Sequence, residues 1–206
     1  MVDGENRVMK DGEVIKKAKK RAREIFNTKR ANCAESVFRA VYELVDTDLP
    51  PEVSALITPL GGGISNRGEN CGALLAGAIA MGLVYGRAKP YEGSLEEHRS
   101  RLWDTYSLFN QLPHRFNQRF GALNCWDLTK DHIYGTEACR QSCEVIIGET
   151  AGMVIELLLE AKRESLPFGF KKNIITQASE ATGMSIEELI EYKKKGQPFP
   201  ISRGNE

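Results

Sequence analysis

Residues 68–82, GENCGALLAGAIAMG, set one cysteine at the head of a run of glycine, alanine and aliphatic residues, and no charge falls between Cys71 and Gly86. Each of the four glycines from Gly72 to Gly86 would cost a helix interior about 1 kcal/mol relative to alanine. Their presence therefore predicts close approach of a neighbouring backbone rather than local helix propensity. The stretch reads as the central, most buried helix of an all-α bundle.

The flanking sequence supports that class. GGGISNRGEN, residues 61–70, is a glycine-rich loop suited to positive φ. Before it, DTDLPPE is a break and VSALITPL a short apolar helix. Asn32 with Glu35 forms a capping box that opens a helix over 33–45. Ser94 with Glu97 opens another, with Leu102, Tyr106 and Phe109 on one face and Pro113 as its end. A short helical piece reaches Phe120 and Gly121, and Asn124 caps the next turn. From Thr136 to Arg163 a long helix carries Cys139, Cys143, Ile146, Thr150, Met153 and Leu157 along one stripe. No stretch shows β-alternation. The tail TQASEATGMSIEELIEYKKKG reads as two helices joined at Gly183, the second capped by Ser185 with Glu188. The expected organisation is a cysteine-containing helical domain at 1–165 and an αα-hairpin appendage at 166–206.

Composition narrows the function. Lysine plus arginine equals aspartate plus glutamate at 28 each, so no overall field draws nucleic acid or an anionic membrane. The tail has the outline of a helix-turn-helix, but its second helix opens on Glu187 and Glu188, which a DNA phosphate would repel. Nucleic acid is therefore not an expected partner; the tail is a packing or homo-oligomerisation element. Residues 10–30 hold nine Lys/Arg against three Asp/Glu, on a helix whose inner positions are Ile15, Ala18, Ala22 and Ile25; the basic surface reads as a solvated face. The charged N-terminus lacks an apolar signal core and no apolar run is long enough to span a bilayer. A cytoplasmic protein is expected, with no membrane partner.

Five cysteines, an odd number, argue against a disulfide framework in a reducing compartment. Cys33, Cys71 and Cys125 each follow an asparagine able to cap a helix. Each thiol would then sit in a first turn, near free N–H groups and the positive end of the helix dipole, a placement that favours thiolate. Cys139 and Cys143 are one turn apart on one face. Four segments can thus bring four or five thiolates to one place. The spacing is neither that of a zinc ribbon nor that of a bacterial ferredoxin. His98, His114 and His132 show no paired ligand spacing, and only His132, between Cys125 and Cys139, is placed to join such a site. GGGISNRG lacks the lysine-serine pair and preceding strand of a phosphate loop; it reads as a turn that lets Cys71 approach the centre.

Taken in order, NCAES, GGGISNRGENCGALLAGAIAMGLVYG, FGALNCWDL and CRQSCEVIIGETAGMVIELL resemble the C_GCAxxG_C_C family of redox-active proteins, from about Ala31 to Leu159. The resemblance places the four family cysteines on Cys33, Cys71, Cys125 and Cys143. Asn70 stands where the family label has glycine, Ala76 and Gly77 stand in place of a strict G-C-A-x-x-G, and Cys139 falls outside the label, as a fifth or substitute thiol. The family's similarity to a cytochrome with an iron-sulfur centre implies such a cluster here.

Three readings follow. The first is an electron-transfer protein with an iron-sulfur cluster on Cys33, Cys71, Cys125 and Cys143, working with a redox partner protein. The second is a metal-free thiol-disulfide protein in which Cys71 attacks and Cys33 resolves. The third is a helical binding or regulatory module whose cysteines are buried hydrophobes.

Overall fold

A computed structural model describes residues 2–166, 168–171 and 173–195; the side chains of 2–9, 192 and 193 are outside the description, as are residues 196–206 of the expected appendage. The described residues form helices and no strand. In chain order these are α1 (Val2–Asn27), α2 (Cys33–Tyr42), a 3-10 helix (Pro51–Leu60), α3 (Gly72–Tyr85), α4 (Leu95–Phe109), α5 (Gln111–Phe120), α6 (Cys125–Thr129), α7 (Glu137–Glu164), α8 (Ile174–Thr182) and α9 (Ile186–Lys194). None of them is long and apolar enough to cross a membrane.

The helices begin where local chemistry satisfies their free amides. Asn32 Oδ1 accepts from Ala34 N at 2.9 Å and Glu35 N at 3.0 Å, while Glu35 Oε2 accepts from Asn32 N at 2.9 Å. Ser94 with Glu97 and Ser185 with Glu188 repeat this reciprocal pattern. Gly121 and Gly183 stop α5 and α8 in the left-handed conformation, at φ 78° and 71°. Pro113 does not end α4. It lies in the first turn of α5, where a missing N–H is harmless, and α4 stops at Phe109.

The chain divides into two units, Met1–Gly169 and Phe170–Glu206. The first runs past residue 165 because polar groups tie the following segment down: Phe168 N donates to Ser107 Oγ at 2.8 Å, and Gln111 Nε2 to Gly169 O at 2.7 Å. The first of these bonds anchors the segment to α4 and the second to α5. Thr105, Ser107 and Leu108 are buried, and Tyr106, expected inside, is 50% exposed. In the second unit α8 packs on α9, with Ala178 and Leu189 buried.

The centre of the first unit is α7. It meets α1, α2, α3 and α5 along its length, and its buried residues, from Cys139 through Ile147, Thr150 and Val154 to Ala161, cover more than one stripe. The small-residue helix α3 packs on α2, α7, α5, α4 and the 3-10 helix, and of its residues only Ile79 and Val84, each 44% exposed, lie open to solvent. It shares the core of the bundle with α7, as its composition leads one to expect. The basic helix α1 is more than a solvated face. Ala18, Ala22 and Phe26 are buried, and Lys19 and Arg23 lie across Gly148 and Gly152 of α7, where a side chain would collide with them. Both cations then meet Glu149, at 2.8 and 3.2 Å.

Close approach is why α3 contains glycine. A Cβ on Gly77 would stand 3.1 Å from each of Leu112 Cδ2, Thr150 Cγ2 and Val154 Cγ2. Gly77→Leu must therefore force apart α3, α5 and α7, at a cost of about 1–3 kcal/mol or more. Thermal unfolding followed by circular dichroism is expected to fall by several degrees; an unchanged Tm would contradict this packing.

Candidate functional site

The five cysteines gather in the first unit by three local devices: a capped helix start, a backbone clasp and one face of a helix. Cys33 is the first residue of α2, behind the Asn32 cap. Asn32 Nδ2 also donates to Thr58 O at 3.1 Å, and Thr58 Oγ1 to Glu35 Oε1 at 2.7 Å, fastening this helix start to the 3-10 helix. Cys139 lies in the first turn of α7, its N–H on the capping Thr136 Oγ1 at 3.4 Å, and Cys143 follows one turn later.

The other two Asn-Cys pairs do something different from capping. Asn70 and Asn124 form an antiparallel bridge with each other. Cys71 N donates to Leu123 O at 2.8 Å, Cys125 N to Glu69 O at 2.7 Å, and Trp126 N to Gly68 O at 2.9 Å. Cys71 itself is the N-cap residue of α3, without a side-chain cap, and Asn124 holds the cap position of α6 without a side-chain bond. The asparagines therefore mark a short backbone clasp that sets Cys71 and Cys125 side by side.

The glycine-rich loop completes the site in an unusual conformation. Gly62, Gly63, Ile64, Ser65 and Asn66 all have positive φ, between 52° and 68°. Three of them are not glycine, and a left-handed turn costs such residues roughly 1–2 kcal/mol each. The turn is held by Ser65 N to Pro59 O at 2.8 Å, Asn66 N to Gly61 O at 3.1 Å and Gly68 N to Gly62 O at 3.0 Å. These bonds commit the loop amides internally, and Arg67 faces Glu69 at 3.6 Å, so the loop is not an open anion cradle. Gly63 of this loop lies close against Cys125, and Gly72, at the start of α3, lies close against Cys33. A Cβ on Gly63 would stand 2.8 Å from Cys125 Cβ, and one on Gly72 would stand 3.0 Å from Cys33 Sγ.

These elements enclose a cavity of about 350 Å³ whose wall carries Cys33, Cys125, Cys139 and Cys143. Cys71 is buried and not on that wall, but Cys33 and Cys125 both act on its charge, and all four other thiols act on that of Cys143. Arg140 is the one charged residue on the described wall. Its guanidinium stacks 4.2 Å above the Phe26 ring and donates to Phe26 O at 3.0 Å. Tyr134, whose hydroxyl donates to Asn66 Oδ1 at 2.7 Å, ties the left-handed turn to the segment before α7. Neither Arg140 nor Tyr134 carried a sequence signal beyond its nearness to cysteine. His132 is exposed and lies off the wall. A larger cleft of about 700 Å³, lined by residues such as Arg119, Asp127, Lys130 and Asp131, contains no thiol.

The electrostatics reverse one expectation. Helix starts were to favour thiolate, yet burial pushes the Cys33 thiol up, against the Gly62 backbone bond that stabilises the anion. Burial, reinforced by Cys33, raises Cys71 from the ordinary 9.0 to about 12. Burial and the neighbouring Cys33 and Cys139 raise Cys125 to about 11, and Cys143 rises for the same reasons. A three-unit rise corresponds to about 4 kcal/mol, whereas a helix terminus returns only about 0.3–1 kcal/mol at an exposed position. Desolvation wins, and Cys33, Cys71, Cys125 and Cys143 are held in the thiol form near neutrality.

Among the described residues no group of three or more His, Cys, Asp or Glu side chains is placed to hold a metal ion. The donors that the cavity wall does offer are sulfur, from Cys33, Cys125, Cys139 and Cys143, the atoms that both zinc and iron-sulfur centres take as ligands.

Residues 31–157 match the family described as "Putative redox-active protein (C_GCAxxG_C_C)". An uncharacterized protein of Archaeoglobus fulgidus is 27% identical over 150 residues, which cover 73% of this chain and 99% of that protein. No solved structure matches the chain. The matched span contains all five cysteines and the clasp that pairs two of them, and the chain belongs to the C_GCAxxG_C_C family of redox-active proteins.

Proposed function

We propose that the protein is an electron-transfer protein whose cavity holds an iron-sulfur cluster on Cys33, Cys71, Cys125 and Cys143, exchanging electrons with a redox partner protein. The observation that carries this reading is the convergence of thiols on one cavity: Cys33, Cys125, Cys139 and Cys143 reach its wall from three segments, and Cys71, from a fourth, is buried close enough for Cys33 and Cys125 to act on its charge. Such a cluster supplies one-electron chemistry when bound. The chain supplies the rest. Burial partly desolvates the sulfurs, the Gly62 N–H supports the Cys33 sulfur, and the clasp between Asn70 and Asn124 holds the segments of Cys71 and Cys125 together. Raised thiol pKa values are compatible with ligands that release their protons only on binding metal.

The metal-free alternative, with Cys71 attacking and Cys33 resolving, needs a thiolate at working pH. Cys71 at about 12 is far from that. In the iron-free protein, alkylation by iodoacetamide at neutral pH is expected to be at least several-fold slower at Cys33, Cys71, Cys125 and Cys143 than for free cysteine; rapid reaction at Cys71 or Cys33 would favour the dithiol reading.

Two sets of variants test the ligand assignment after anaerobic reconstitution, with iron and acid-labile sulfide as the readout. Cys71→Ser is expected to lose bound iron and sulfide while keeping its helical far-UV spectrum, and wild-type iron content in that variant would remove Cys71 from the set. Cys143→Ala should lose the centre and Cys139→Ala should keep it with altered oxygen sensitivity, because a neighbouring thiol tunes a cluster without holding it. The reverse pattern would make Cys139 the fourth ligand.

A further inference from the structure

We infer that Arg140 is the countercharge of the thiol cavity, setting how readily a centre held there accepts an electron. The inference rests on the cluster reading above for the potential it predicts, and on the cavity alone for its electrostatics. Thiolates that replace thiols in this cavity bring several negative charges to one partly buried wall, and only Arg140 carries a formal charge on the described wall. Its position is fixed twice, by the stack on Phe26 at 4.2 Å and by the bond to Phe26 O at 3.0 Å. Neither partner is a carboxylate, so the positive charge is not neutralised by them. It sits on α7 between Cys139 and Cys143, and a fixed cation there favours the more negative, reduced state of whatever the thiolates hold.

Arg140→Gln keeps a donor for Phe26 O and removes the charge; Arg140→Lys keeps the charge. Where the wild-type protein takes up iron, its midpoint potential decides. Arg140→Gln is expected to shift the reduction equilibrium about tenfold toward the oxidised state, which is 59 mV for one electron, with Arg140→Lys close to wild type. Equal potentials in wild type and Arg140→Gln overturn the inference. Where the wild type takes up no iron, the cluster reading fails and the iron-free cavity decides. At one alkaline pH, the rate ratio of anionic iodoacetate to neutral iodoacetamide at the cavity thiols should drop about three- to tenfold in Arg140→Gln and recover in Arg140→Lys. An unchanged ratio overturns the inference.

Discussion

Two backbone segments meet at Asn70 and Asn124, and the cysteine site depends on that meeting. Each segment enters a helix immediately afterwards, so the antiparallel clasp fixes where α3 and α6 start as well as where Cys71 and Cys125 lie. A clasp of this kind leaves little room. Gly68 stands against Trp126, Gly63 against Cys125, and Gly72 against Cys33. The left-handed turn over 62–66 carries the chain from the 3-10 helix past Cys125 to the clasp with the amides of Ser65, Asn66 and Gly68 bonded.

That arrangement also settles the character of the thiols. A helix start and a buried cavity act on a cysteine in opposite directions, and magnitude decides between them. Partial charges at a helix end are worth a fraction of what removal from water costs an anion, and neighbouring thiols add to that cost. Cys71 and Cys125 accordingly lie far above the ordinary thiol range. The result is a pair of thiols that are poor nucleophiles near neutrality.

Much of this was legible because it is local. Capping boxes at Asn32 and Glu35, Ser94 and Glu97, and Ser185 and Glu188 depend on residues three apart, and the helices begin where those pairs stand. The five thiols could be grouped from motif order alone. What could not be read was set by contacts distant in the chain. The importance of α7 comes from Gly148 and Gly152 admitting Lys19 and Arg23 of α1, more than a hundred residues away. Phe168 and Gly169 reach back to Ser107 of α4 and Gln111 of α5. Asn70 looked like a cap because its partner, Asn124, cannot be recognised without the fold, and Arg140 looked like any surface arginine until Phe26 placed it on the cavity wall.

The central claim is that the thiols serve one shared occupant rather than acting singly. X-ray absorption at the iron edge of anaerobically isolated protein tests it most directly. The account predicts a first coordination shell of sulfur and a second shell containing iron, the signature of a bridged cluster. Protein that carries no iron after anaerobic isolation and reconstitution, or iron with only oxygen and nitrogen neighbours, would contradict it.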